Sequence, residues 1–430
     1  MSDAPRDKKI DDNSLDPKAR DPVTKLFSNG ENLSQRQARL KAEKEGISQE
    51  EAERLLKEEV ADKLSGAHSK RQEQGRQERD ARRATNNQKI VEELMACKTE
   101  VDVLNVIDKY YSYVIDGGKP KIYREVNKDI QSLEISAFKG WCANKSVPIT
   151  ETDPDGKTET KYIPLFTFWW KHFGRYEYNY VDFDPNNTFD RNDRSNDVYN
   201  MWRGWETNEK KGDCKDALGF IYEIICDKNR KHFFWVLSWI ADLIQNPADP
   251  KGVALVLIGP KGIGKTFFGE MICSLIGDKY SFITANKNDI FGDFDGHLSN
   301  LMFLVLEEAV WAQNHQIESI LKVFITGNRR SSKSKYHDTR MINNYLRHLI
   351  LANPGWAVPT SLDERRYMIL YPSVEKKKDL VYFGELLNKF NNGGNEALMY
   401  FCQHYTIGRG GVDIRSALKT EGLLINKKSH

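Results

Sequence analysis

The chain has 430 residues, with 64 Lys and Arg against 62 Asp and Glu and a formal net charge of +2. That length supports two or three domains whose cores need no disulfide support, and the near-neutral balance excludes a uniformly basic surface, so any polynucleotide footprint must be local. The six cysteines are scattered without a C-x-x-C pair, which argues against a zinc ribbon or disulfide framework and for a reducing compartment. No apolar run approaches the roughly 20 residues needed to span a bilayer, so a soluble, cytoplasmic protein without a membrane partner is expected.

Residues 1–90 hold almost no aromatics and alternate dense basic and acidic side chains. Such a segment cannot bury enough surface to offset its ordering entropy, and reads as a charged, largely disordered arm with helical islands. Ser48 and Glu51 match a capping box ahead of a helix over 52–64. The arginine-rich stretch 70–83 is either a solvated charge run or a nucleic-acid contact.

Residues 91–248 are aromatic-rich and read as a smaller, mainly helical or mixed domain. Helical periodicity opens it at Val91, Leu94, Val103, Leu104 and Ile107. A turn at 153–157, with Pro154, Asp155 and Gly156, separates two short extended runs and suggests a hairpin. Apolar residues from Leu218 to Ile244 recur at helical spacing and predict a helical pair. The tryptophans of this region suit core packing better than base stacking.

Residues 249–372 carry the chemistry and read as an α/β ATPase domain with a parallel sheet. The apolar run Val253–Ile258 feeds Gly259-Pro260-Lys261-Gly262-Ile263-Gly264-Lys265-Thr266, a complete phosphate-loop pattern between a strand and a helix over 267–276. Gly259, Gly262 and Gly264 are expected to take positive φ and turn N–H groups toward a triphosphate, with the helix N-terminus facing the anion. In that pattern Lys265 reaches the β and γ phosphates of ATP and the Thr266 hydroxyl ligates Mg2+. A second apolar run, Leu301–Leu306, ends in Glu307-Glu308, carboxylates suited to holding the metal and orienting water. A third, His348–Ala352, ends in Asn353, whose amide can sense a γ-phosphate. Arg365 and Arg366 precede a fourth strand and suit either a surface ion pair or a finger that neutralises transition-state charge. Between the carboxylates and Asn353, Arg329, Arg330, Lys333, Lys335 and Tyr336 lie on a turn-prone segment suited to a hairpin that grips phosphates and stacks a base. Residues 373–430 complete the chain as a helical segment.

These motifs, in this order, resemble the superfamily III helicases of viruses, plasmids and satellite elements. Val181-Asp182-Phe183-Asp184-Pro185 and Val198–Trp205 are similar to the phage and poxvirus-type primase-helicases. The resemblance implies an AAA+-like ring, usually a homo-hexamer, binding ATP and Mg2+ between subunits and moving 3′ to 5′ on single-stranded DNA. It makes Gly259–Thr266 the first motif, Glu307-Glu308 the second, Lys322–Lys335 the DNA hairpin segment and Asn353 the sensor, and it favours Arg366 over Arg365 as the finger. Where many relatives carry an N-terminal primase-polymerase domain this chain has its charged arm, so a separate primase or polymerase is an expected partner. A replication-initiator or origin-binding ATPase, assembled by nucleotide without unwinding as its main task, is the alternative. A primase using Asp182 and Asp184 is a third reading, with too little chain before Gly259 for a polymerase fold.

Overall fold

The computed structural model describes residue 48 and residues 87–152, 155–187, 197–292, 294–307, 315–333, 339–354 and 365–418. The charged arm with its predicted helix, and Glu308, Lys335 and Tyr336, lie outside these residues. Among the described residues no helix is long and apolar enough to cross a membrane.

Helix α1 (Glu100–Tyr110) starts at a complete capping box: the Thr99 hydroxyl accepts from the Asp102 N–H and the Asp102 carboxylate accepts from the Thr99 N–H. It buries Val103, Leu104 and Ile107, as their spacing predicts. Of the two expectations for this domain, mainly helical or mixed, the strands that follow correct the first and agree with the second. Strands β1 (Tyr111–Asp116), β2 (Lys119–Val126) and β3 (Asp129–Leu133) form an antiparallel meander. Its two-residue turns, Gly117-Gly118 and Asn127-Lys128, all have positive φ, the backbone that tight hairpins require. These strands of five to eight residues are too short to register as a strong repeat. The turn residues were the available signal.

Helix α2 (Ile135–Cys142) leads to β4 (Ser146–Thr152) and β5 (Thr158–Pro164), which pair antiparallel across the predicted turn. Helix α3 (Leu165–Lys171) then returns the chain to β6 (Glu177–Tyr178), parallel to β1. The core holds Ile107, Tyr111, Phe138 and Trp169, and the Trp169 indole N–H donates to Asp108 Oδ1 at 2.8 Å, which gives the buried indole donor its acceptor. Strand β7 (Tyr180–Asp182) pairs with β8 (Val198–Asn200). Asp182 accepts from the Phe183 N–H, and Asp184 accepts from the Asn186 N–H and the Asn187 amide. These two carboxylates serve the turn, which disfavours the primase reading.

The stretch after β8 joins the two domains. Arg203 donates from Nε and Nη2 to the Glu125 carboxylate of β2, at 2.6 and 2.8 Å, while its backbone N–H donates to the Tyr280 hydroxyl. Trp202 and Trp205 pack on Tyr280. The tryptophans are thus packing residues: Trp169, Trp202, Trp235 and Trp239 are all buried.

The predicted helical pair forms as α4 (Lys215–Phe220), continued by one π-helical turn (Ile221–Ile225), and α5 (Arg230–Gln245), whose Asn229 cap accepts from Lys231 and His232. There follow β9 (Ala254–Ile258), α6 (Lys265–Ile276), β10 (Ser281–Thr284), α7 (Asn288–Phe291), β11 (Phe303–Glu307), α8 (His315–Thr326), the ribbon β12 (Arg329–Ser332) and β13 (Arg340–Asn343), β14 (Arg347–Ala352) and β15 (Tyr367–Leu370). Five strands make one parallel sheet in the order β10-β11-β14-β9-β15. Its faces alternate residue by residue. Leu255, Leu257, Leu349 and Met368 join the core that includes α5 and α6, whereas Val256, Ile258, Ile350 and Ile369 join Leu321, Phe324 and Ile325 of α8. Burial on both faces is why these strands read as unbroken apolar runs. Helices α9 (Leu380–Lys389) and α10 (Asn395–Gln403) follow.

Arg347, at the start of β14, is buried and closes the end of α5. Its Nη2 donates to Asp242 Oδ2 at 2.9 Å and to the carbonyls of Asp242 and Asn246, and Nη1 donates to the Pro247 carbonyl. One guanidinium therefore adds a second donor to the Asp242 and Asn246 carbonyls, which also accept the Asn246 and Asp249 N–H groups, and ties the chain that leaves the helix to the start of β14. Arg347→Met is expected to destabilise the fold by about 3–5 kcal/mol, because Asp242 stays buried without its main counter-charge. Urea unfolding checks this; a loss under about 1 kcal/mol would show that the pair is dispensable.

Candidate nucleotide and nucleic-acid site

Strand β9 lies between β14 and β15, yet the chain leaves it through α6 for β10 at the far edge. Its carboxyl end is therefore a point where strand order reverses, the place at which open parallel sheets bind ligands. Residues 259–264 occupy that end. Gly262 and Gly264 have φ of +82° and +92°, as expected, but Gly259 is not in the positive-φ region. Its missing Cβ instead leaves room for the buried Ile263, whose Cδ1 would stand 2.6 Å from one. A Cβ on Gly264 would lie 2.7 Å from the Phe383 ring of α9. The Gly262 carbonyl accepts from the Lys378 N–H at 2.7 Å and the Gly259 N–H donates to the Ala352 carbonyl at 3.1 Å. The loop is thus fixed from both β14 and the segment before α9.

Lys265 opens α6, two residues earlier than the sequence reading placed the helix. Its Nζ donates to the carbonyls of Gly259 (2.5 Å) and Pro260 (2.9 Å). The next residue, Thr266, is exposed, and its hydroxyl donates to Glu307 Oε1 at 2.6 Å. Glu307 ends β11 opposite Leu351 of β14, and Asn353 follows two residues later, half-buried. A helix N-terminus, an ammonium, a hydroxyl and a carboxylate converge at one sheet edge. The first two suit a polyphosphate, and the oxygen pair suits a hard divalent cation such as Mg2+.

Arg365 and Arg366 lie at the opposite end of the sheet. The Arg366 carbonyl accepts from the Ala254 N–H and the Arg365 carbonyl from the Ala417 N–H. Five residue steps from Ala254 to Gly259, at about 3.3 Å each, separate that level from the loop, about 17 Å in all. Arg365 is exposed and Arg366 half-buried.

The ribbon β12–β13 pairs Arg330 with Ile342 and Ser332 with Arg340. Its alternation turns Arg329 outward and Arg330 inward. Arg330 is 4% exposed and donates from Nη1 to Asp295 Oδ2 at 2.7 Å, which corrects its expected role as a DNA contact: the guanidinium is committed inside the protein. Arg329, Lys333 and Arg340 are exposed. Arg340, Asp295 and Lys378 escaped sequence reasoning. Only the predicted hairpin itself could have flagged Arg340, on the outgoing strand, and no periodicity signals the other two.

His348 of β14 is fully buried, and its Nε2 finds no hydrogen-bond partner among the described residues. Burial, aided by the nearby Arg330 charge, pushes its pKa down to about 3.

Residues 257–366, from the end of β9 to the start of β15, match a sequence family described as a family of unknown function (DUF5906). No curated protein matches the chain. Among solved structures, the A-form apo structure of the NrS-1 C-terminal region aligns with a TM-score of 0.58 at 15% identity, covering 76% of this chain and 74% of that one. The apo structure of that region spanning its residues 305–718 gives 0.57 at 15% identity over the same shares. This chain thus shares the fold of that region.

A neutral, buried His348 has a defined acid signature. Its folded pKa lies below the unfolded value of 6.5, so the unfolded chain binds the extra proton and stability falls as pH drops from about 6.5 toward 3. Urea midpoints measured across that range should decline less steeply in His348→Leu than in the parent, and parallel curves would exclude His348 as the source.

Proposed function

We propose that the chain is an ATP-driven motor of the superfamily III helicase type, with an AAA+-like core, acting on single-stranded DNA as a homo-hexameric ring. The observation that carries this reading is the meeting of Lys265, Thr266 and Glu307 at the carboxyl end of β9, with Asn353 on the strand between. Mg2+ bound there would supply charge neutralisation on the transferred phosphoryl group. The α6 N-terminus and the loop N–H groups hold phosphate oxygens, Lys265 exchanges its loop carbonyls for them, and Thr266 and Glu307 offer oxygen ligands. Glu308, next in sequence, is assigned to water, and Asn353 to sensing the γ-phosphate.

Arg366, with Arg365 as second candidate, acts on a neighbour's nucleotide; its distance from its own loop supports that assignment. Exposed Arg329 and Lys333, joined by Lys335 and Tyr336, grip the strand. The work is replication in the host cytoplasm of a viral or mobile element, with a primase or polymerase supplied separately.

Lys265→Ala should abolish ATP hydrolysis, and Arg366→Ala should lower it on the order of a thousandfold while sparing nucleotide binding. The deciding assay is ATPase activity stimulated by single-stranded DNA, together with unwinding of 3′-tailed and 5′-tailed forks; a wild-type chain that hydrolyses ATP indifferently to DNA and opens neither fork ends this reading. Lys333→Ala should weaken single-strand binding and reduce the slope of log affinity against log salt by about 0.7, the loss of one phosphate contact. An unchanged slope would remove Lys333 from the interface.

A further inference from the structure

The ribbon is fastened to the rest of the domain at one carboxylate. Asp295 accepts from Arg330 Nη1 at 2.7 Å through one oxygen and from the Lys333 N–H at 2.6 Å through the other. The connection is made reciprocal by the Asp295 and Gly296 N–H groups, which both donate to the Lys333 carbonyl, and by the Ser299 and Ser332 hydroxyls, 2.9 Å apart. Residues 295–299 thus grip 330–333, where β12 runs out toward the hairpin tip. Both partners of the ion pair are shielded: side-chain exposure is 3% for Arg330 and 14% for Asp295. Charge-assisted bonds in such surroundings are strong and geometrically demanding.

Two of the three strands that lead to the nucleotide site, β11 and β14, begin near this fastening. Downstream of Asp295 the chain passes through a 3₁₀ turn (Gly296–Leu298) into β11, which ends in Glu307. The Arg330 charge reaches His348, in the second position of β14, whose end is followed by Asn353.

We propose that Asp295 is a positioning residue that, through Arg330, makes the hairpin and the entrances of β11 and β14 one mechanical unit, so that nucleotide state and DNA grip change together. This rests on the helicase reading above. Coupling of this kind is a free energy shared by two sites, and it can be removed without emptying either.

The test measures basal and single-strand-stimulated ATPase rates, together with nucleotide binding, in the full chain. Asp295→Asn preserves size and the bond from Lys333 while removing the charge. It is expected to keep nucleotide binding and basal hydrolysis and to lower the ratio of stimulated to basal rate on the order of tenfold. Because a lone buried guanidinium can destabilise the fold, the paired variant Asp295→Asn with Arg330→Met, which leaves no orphan charge, is measured alongside. The proposal requires it to melt near the parent temperature and yet remain unstimulated. A folded Asp295→Asn or paired variant with the parent's stimulation ratio overturns the proposal, as does a parallel fall of basal and stimulated rates, which marks a purely structural pair. A parent enzyme that DNA does not stimulate rejects the helicase reading itself, a result distinguishable from failure of the latch.

Discussion

The architecture turns on the buried guanidinium of Arg347. It binds the Asp242 and Asn246 carbonyls at the end of α5 and the Asp242 carboxylate while standing at the first position of β14, so it fixes where the helical layer ends and where the sheet's fourth strand in sequence enters. Buried ion pairs contribute little net stability against an apolar replacement, because desolvation offsets their attraction. What this pair determines is placement. With β14 seated between β9 and β11, Asn353 emerges between the 259–264 loop and Glu307, and without it the carboxylate strand and the loop strand would have no common neighbour.

The loop is held against a scaffold as firm as the strands beneath it. Ile263 is wholly buried under Gly259, the Lys378 N–H holds the Gly262 carbonyl, and the Phe383 ring leaves no room for a side chain on Gly264. A preorganised cradle spends little free energy on ordering when an anion arrives, which is the general advantage of rigid binding elements. The two contacts from residues 378 and 383 come from the segment beyond the last strand. Helix α9 and the segment before it therefore shape the candidate site's loop as the sheet does.

Much of this was legible because the relevant signals are local. A strand buried on both faces shows itself as an apolar run, and a loop that needs left-handed backbone shows itself as spaced glycines; Ala254–Ile258 obeys the first rule, Gly262 and Gly264 the second. The meander at 111–133 was missed because its strands are short and half-exposed, so neither apolar continuity nor clean alternation survives. Arg330 was misread for a different reason. In a basic stretch all guanidiniums look alike, and only the strand period, with Arg329 outward and Arg330 inward, separates the one that meets solvent from the one that meets Asp295. Its partner lies 35 residues earlier, beyond any sequence periodicity. Long-range ion pairs such as Arg347 with Asp242 and Arg203 with Glu125 share that invisibility.

The disposition of charge across the sheet bears on how such a site would work. Lys265, Thr266 and Glu307 gather at the carboxyl edge, whereas Arg365 and Arg366 sit at the amino edge, held by backbone bonds to Ala417 and Ala254. A rigid parallel sheet cannot fold its two edges together, since its strands are neither long nor bent enough to bring residues about 17 Å apart along β9 into contact. A guanidinium that is to reach a phosphoryl group must then reach one on another copy. On the proposed reading, an isolated protomer carries both halves of a catalytic centre facing away from each other; the interface that joins them is heterologous, amino edge against carboxyl edge, and only a rotation that closes would complete every site at once.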